Sequence, residues 1–384
     1  MIISHVCLKN WRNFGDVNVK LGNRAFLVGP NACGKSNFLD VFRFLRDIAK
    51  AGGGLQKAVQ DRGGLSKIRC LAARRYPDVE IEVELAANQG EPAIWKYAVG
   101  IKQEVSGYRR PFLAYERIWK NVSEIRNRPN DDDQKDKERL TQTHLEQIGA
   151  NQEFREISRF FESILYMHLV PQLLRNPDAF SGPGIPGDPF GRNFLERVAK
   201  TPEKTRNARL RKIQKALVKA VPQLEELTHV KDESGIPHLE AKYKHWRYEG
   251  AKQREEQFSD GTLRLIALLW CLMEGEAPLL LEEPELSLNA AIVRELPAVI
   301  YRLQKVRNRQ VIISTHSADL LTDKAIGGEE ALLLRPDTEG TNVQVASNIP
   351  QVHTLLEEGF SVADALMPHA EPKKELQGYL FDVF

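Results

Sequence analysis

Residues 29–36, Gly-Pro-Asn-Ala-Cys-Gly-Lys-Ser, satisfy the spacing G-x-x-x-x-G-K-[ST] without a gap. That spacing has a phosphate chemistry. A glycine-flanked loop turns successive main-chain N–H groups toward one point, and the N-terminus of a following helix adds partial positive charge. In such a loop Lys35 reaches the β- and γ-phosphates of a nucleoside triphosphate, and the Ser36 hydroxyl ligates Mg²⁺. A side chain at Gly34 would hold the backbone off the phosphates. Pro30, Asn31 and Ala32 complete the loop, and Asn37 follows it. Cys33 reads as a small filler residue.

A second chemical group stands far along the chain. LLLEEPELSLN, residues 279–289, ends an apolar run in Glu282 and Glu283. Adjacent carboxylates at a strand end repel each other and lose hydration, which favours a nearby cation or a shared proton. A Mg²⁺-triphosphate site supplies both, one acid orienting the metal and the next activating a water. A solvated glutamate pair is the plainer alternative. FSDGTLR places Ser259, Asp260 and Gly261 where a long apolar helix begins, another N-terminus suited to an anion. VIISTHS brings His316 to the end of an apolar run, in position for a γ-phosphate contact.

The elements that must position these groups follow from periodicity. RAFLVG is a buried strand running into the glycine loop. SNFLDVFRFLRDIA sets Phe38, Val41, Phe42, Leu45 and Ile48 at helical spacing. IISHVCLKNW, DVNVKL, VEIEVELA and AIWKYAVGIK read as strands. The charged segment at 123–140 reads as an exposed loop. Helical pattern resumes over 153–169, and the Gly/Pro-rich residues 178–191 read as a loop. RNARLRKIQKALVKAV aligns Leu210, Ile213, Leu217 and Val221 on one stripe. A hairpin turns at residues 232–235. GTLRLIALLWCLMEG is an apolar helix, PLLLEEP a buried strand, AAIVRELPAVIYRLQKVR a helix and QVIISTHS a second buried strand. ALLLRP and NVQVASN read as edge strands, and a tail follows.

Composition sets outer bounds. The chain has 384 residues, 42% of them hydrophobic and 28% charged, with a formal net charge of +2. These are values of a globular protein, and any basic surface must be local. The four cysteines form no Cys-x-x-Cys pair, so neither a disulfide framework nor a zinc knuckle is expected. No signal-peptide pattern and no membrane-length apolar run is found, so a cytoplasmic setting without membrane is expected.

The chain order of glycine loop, serine loop, glutamate pair and histidine resembles the ABC-type ATPase head of the SMC/RecF/OLD superfamily of DNA-repair and phage-defence ATPases. It is most similar to the compact "predicted ATPase" branch, whose head carries a helical insertion and no long coiled coils. The match covers roughly residues 1–50 and 255–320. The resemblance implies an α/β fold: an ABC-type P-loop ATPase head, a mixed sheet with helices plus an antiparallel β-subdomain, with a helical insertion. It implies ATP and Mg²⁺ as cofactors. Gly29 to Ser36 become the Walker A loop, Glu282 the metal-binding Walker B acid and Glu283 the catalytic base. Lys35 and His316 act with Glu283, His316 as the switch histidine. Ser259, Asp260 and Gly261 match the signature loop, and Ser287, Leu288 and Asn289 the D-loop. Arg12 and Asn13 resemble nucleotide-touching residues near the N-terminus. Gln147 is the candidate Q-loop ligand of nucleotide and metal, with Gln142 as runner-up. Three departures stand out: Glu282 in place of Asp, Ser-Asp-Gly-Thr as the signature, and Asn289 in place of the usual D-loop acid or His.

The expected organisation is an N-terminal lobe at 1–122, an insertion at 123–250, a C-terminal lobe at 251–345 and a tail at 346–384. The resemblance implies a homodimer closed around ATP, a separate effector protein, and defence against phage or RecF-like repair. Residues 204–219 carry Arg206, Arg209, Arg211, Lys212, Lys215 and Lys219, a candidate DNA-backbone contact or equally a solvated face. A transporter subunit fits poorly, since Ser259 lies 223 positions after Ser36 (259 − 36). Only 68 residues follow His316 (384 − 316), without a paired Asp-x-Asp, so no nuclease is expected in this chain. The apolar run GYLFDVF could dock a partner or form a last strand.

Overall fold

The computed structural model describes residues 1–73, 77–104, 108–176, 188–244 and 251–370. The Gly/Pro-rich loop at 178–191 lies largely, and GYLFDVF wholly, outside the described residues. The chain divides into two compact units, Met1–Ile164 with Arg309–Phe384, and Leu165–Asn308. The expected segments cut across this division.

The first unit opens with β1 (Ile2–Trp11), β2 (Phe14–Lys20) and β3 (Arg24–Val28), then α1 (Lys35–Ala49), α2 (Leu55–Gln60) and α3 (Leu65–Ile68). Next come β4 (Val79–Ala86), β5 (Ala93–Gln103), β6 (Pro111–Lys120), β7 (Ser123–Arg128), α4 (Asp131–Lys135) and α5 (Arg155–Ser163). An antiparallel sheet runs β2-β1-β4-β5-β6-β7. Alternation decides its faces: Val79, Ile81, Val83 and Leu85 of β4 are buried, and Glu80, Glu82 and Glu84 between them are half-exposed.

Residues 123–140 are largely exposed, as expected, but they are not a loop. They hold β7, paired to β6, and the short α4. Arg128 is wholly buried and bonds Glu116 at 3.1 Å and Asp133 at 2.9 Å, both also wholly buried. A charge run reads as solvated only when its charges lack partners; here each buried charge has one.

The second unit contains β8 (Leu165–Met167), α6 (Pro171–Arg175), α7 (Phe194–Lys200) and α8 (Glu203–Leu217). A three-stranded sheet follows, β9 (Leu224–Lys231), β10 (Pro237–Tyr243) and β11 (Ala251–Arg254), with the expected hairpin joining β9 to β10. Then come α9 (Asp260–Met273), β12 (Leu279–Glu282) and α10 (Ala290–Arg307). The helical pattern expected over 153–169 stops at Ser163, because Leu165–Met167 pair in parallel with Leu279–Leu281 of β12. Leu210, Ile213 and Leu217 of α8 are buried as expected, while Val221 lies beyond the helix. Of the basic residues on α8, Arg206 bonds the Ala199 carbonyl and Arg209 lies over the Trp270 ring, so these two face the fold. Arg211, Lys212 and Lys215 remain exposed.

The chain returns to the first unit with β13 (Val311–Thr315), β14 (Ala331–Asp337), β15 (Gly340–Val345), α11 (Pro350–Glu357) and α12 (Val362–Ala370). There β3 lies between β13 and β14, parallel to both, and β15 flanks β14. All five residues of β3 and of β13 are buried, as strands inside a parallel sheet require. β14 is therefore no edge strand: Ala331 to Leu334 are buried between β3 and β15.

Candidate functional site

In the first unit the parallel register pairs Val28 with Thr315. The next residues, Gly29 and His316, therefore leave neighbouring strands at the same carboxyl edge. The loop from Gly29 to α1 takes left-handed backbone at Ala32 (φ 62°) and Gly34 (φ 101°). Alternation of that kind lines up main-chain N–H groups as a concave anion seat. Gly34 has a second constraint: a Cβ there would run into the Asn13 side chain.

Lys35 is 6% exposed. Its Nζ donates to the carbonyls of Gly29 at 2.9 Å and Pro30 at 3.1 Å. Among the described residues no carboxylate pairs with it. A buried ammonium held only by neutral carbonyls is suited to an anion. Ser36 stands in the first turn of α1, with the loop amides beside it. Burial raises the Cys33 thiol above its usual pKa, more than Lys35 and the nearby amides lower it, and the residue is 1% exposed. It is packed filler.

Asn13 ties the loop down. Its Nδ2 donates to the Cys33 carbonyl at 2.8 Å and to Thr341 Oγ1 at 2.7 Å, and its Oδ1 accepts from Asn37 Nδ2 at 2.8 Å. Thr341 Oγ1 in turn donates to the Cys33 carbonyl at 2.9 Å. Gly340 meets the Asn13 carbonyl so closely that a Cβ would collide with it. Thr341 and Gly340 had no signal in the sequence beyond a strand pattern, because their contact spans some 300 positions. Arg12 turns the other way, to Asp40 of α1 at 2.9 Å. Burial pushes the Asp40 pKa up, but Arg62, Arg43 and Arg12 outweigh it and the net is downward. Arg12, Asn13, Asn37, Lys67 and Glu339 line a cleft of about 650 Å³, the size of small-molecule sites.

In the second unit the acids sit where β12 ends. Tyr166 of β8 donates its hydroxyl to Glu282 Oε2. Glu283 has φ 44° and its carbonyl accepts from Arg264. Left-handed backbone at a non-glycine residue costs about 1–3 kcal/mol and gathers at functional sites. Ser287 shares this conformation at φ 63°. Its carbonyl approaches Gly261 so closely that a Cβ there would stand at 2.6 Å. The signature and D-loop candidates are thus packed together, and Gly261 is required by that approach. Ser259 caps α9, accepting from the Thr262 N–H at 3.1 Å, and Asn289 caps α10 from Ala291 at 2.9 Å. Asp260, a nucleotide-binding candidate from the sequence, has partners within its own unit. Its carboxylate is held by Arg175 at 2.6 Å and Gln172 at 2.9 Å, which neutralises an acid that would repel phosphate.

Gln147, the Q-loop candidate, has its neighbours away from the glycine loop. It donates to Gln142 at 3.0 Å, and both line a cavity with residues 49–53 at the C-terminal end of α1. That is about 20 Å from the loop, from the 1.5 Å rise per helical residue. The glutamine that the fold joins to a signature-loop residue is Gln172. A pair of glutamines near a charged turn has no local feature to distinguish it from one after a buried strand.

A family model described as "AAA domain, putative AbiEii toxin, Type IV TA system" matches residues 24–323. The chain is 39% identical over 67 residues to Endonuclease GajA of Bacillus cereus (strain VD045), a stretch covering 17% of this chain and only 12% of that relative. A solved Smc head bound to the C-winged helix domain of ScpA is similar with TM-score 0.53 and 14% identity, covering 90% of this chain and 97% of that one. An Smc head domain with an extended coiled coil, bound to the C-terminal domain of ScpA derived from Pyrococcus furiosus, gives TM-score 0.50 and 14% identity, covering 93% and 98%. The fold is that of SMC-type ATPase heads, a mixed α/β architecture with an antiparallel subdomain.

Proposed function

Because this chain belongs to the AAA-domain family described as putative AbiEii toxin of type IV toxin–antitoxin systems, we propose that it is a Mg²⁺-dependent ATPase acting as a switch. The observation that carries this reading is the first unit's parallel register. Val28 opposite Thr315 brings the glycine loop and His316 to one edge, beside a buried Lys35 that no described carboxylate neutralises.

The loop amides and Lys35 hold the β- and γ-phosphates of ATP. The cleft lined by Arg12, Asn13 and Asn37 takes the nucleoside side. Ser36 of the first unit and Glu282 of the second are each candidate ligands for Mg²⁺, which would supply charge neutralisation on the phosphates. Glu283 takes a proton from water as its oxygen attacks the γ-phosphorus and ADP leaves, while His316 contacts the γ-phosphate. Two copies close around ATP, each offering Ser259 and Gly261 to the other's nucleotide, and hydrolysis parts them. A separate effector reads that state in a DNA-linked defence against phage. The family description and the likeness to an endonuclease support this setting over transport.

Phosphate release and ATP affinity test the reading. Lys35→Ala should weaken ATP binding at least tenfold, since a charge-assisted phosphate contact is worth about 1.5–3 kcal/mol. Glu283→Gln should bind ATP and release no phosphate. Turnover at the wild-type rate in Glu283→Gln, or no ATP affinity in the wild type, would defeat it.

A further inference from the structure

The cavity beside Gln147 has no place in the nucleotide scheme. It measures about 600 Å³, within the range of small-molecule sites, and lies wholly in the first unit. Gln142, Glu146 and Gln147 line it from the segment before α5, Gly52 and Gly53 from the turn after α1. Arg155 and Arg159, four residues apart on α5, complete it.

Those two arginines are the informative pair. Like charges at i and i+4 destabilise a helix, and Glu156 and Glu162, each three residues from Arg159, are the acids spaced to offset this pair. Among the described residues neither forms an ion pair with a carboxylate. Arg155 is oriented by neutral groups instead: Nε donates to Asn151 Oδ1 at 3.2 Å and Nη2 to the Ile148 carbonyl at 2.7 Å. The third cation lining the cavity, Lys50, is paired with Asp47 at 2.8 Å. Two carboxyl groups line it as well, Glu162 and Glu146. Burial pushes Glu146 up to about 7, so it is no fixed negative charge near neutrality. Gln147 and Gln142 bond each other and present amides to the space.

We propose that this cavity is a second ligand site that takes a small phosphorylated molecule, its phosphate paired with Arg155 and Arg159. Guanidinium forks match phosphate oxygens in a way a single ammonium does not. The neutral amides and the glycine turn would receive the remainder of the ligand. The site is independent of the glycine loop, and its ligand would report to the far end of α1, the helix that begins at Lys35.

Inorganic pyrophosphate is the probe, titrated calorimetrically into the full chain without Mg²⁺. In a Lys35→Ala background, which silences the glycine loop, binding should persist. Adding Arg159→Gln should weaken it at least tenfold, and Arg159→Lys should fall between. Arg159 is exposed, so the unliganded melting temperature should be unchanged. Hydrogen exchange on the wild type gives a readout without substitution: pyrophosphate should protect residues 142–147 and α5. Loss of all binding in Lys35→Ala, equal affinity with and without Arg159, or protection confined to residues 29–36 would each overturn the proposal.

Discussion

Lys35 and Glu283 show how single residues hold conformations that packing alone would not choose. Lys35 buries an ammonium against carbonyls, and Glu283 holds a left-handed backbone at φ 44°. The second fact separates stability from activity. Glu283→Gly should relieve the backbone by about 1 kcal/mol while removing the proposed base. Melting temperature should stay level or rise as phosphate release stops; a large loss of stability would show that the carboxylate is structural. Glu146 offers a pH test. Its folded pKa of about 7 lies above the ordinary value, so ionisation is disfavoured in the folded state. That stability is present below the ordinary carboxyl pKa and is lost as pH rises toward and through 7. Glu146→Gln should therefore stabilise the protein at pH 8, by roughly 1–3 kcal/mol at 1.36 kcal/mol per pKa unit, with the gain vanishing by pH 4.5. Thermal melts across that range check it.

Elements position these residues by contacts remote in sequence. The β14–β15 hairpin supplies Thr341, which holds both Cys33 and Asn13. Thr341→Val keeps shape and removes the hydroxyl. It should lower stability by about 0.5–1.5 kcal/mol and weaken ATP binding several-fold, without affecting Glu282 or Glu283. Equal affinity would show that Asn13 alone seats the loop. In the antiparallel sheet, Arg128 compensates Glu116 and Asp133 where no water reaches them. Arg128→Ala should cost about 3–5 kcal/mol in urea denaturation, because it strands two buried acids. A loss below 1 kcal/mol would mean that solvent enters this cluster.

For the whole molecule, the proposed switch predicts ATP-dependent association. Glu283→Gln with ATP and Mg²⁺ should sediment as a dimer and return to monomer without nucleotide; a monomer under both conditions would remove the head-to-head closure. The elements that carry the candidate site were legible in the sequence where they are locally determined. The glycine loop, the apolar strand before it, the helix after it, the glutamate pair and the strand leading to His316 are each set by neighbours within a few residues, so spacing and periodicity suffice. What tertiary structure decided depends on partners far along the chain. It showed that Arg128 and Asp133, inside the charged run 123–140, are buried and paired, and that Asp260 pairs with Arg175. It placed Gln147 beside the far end of α1, and it made Thr341 part of the glycine loop's support. A side chain's local pattern records what it is, whereas burial and hydrogen bonding depend on which distant groups the fold brings to it.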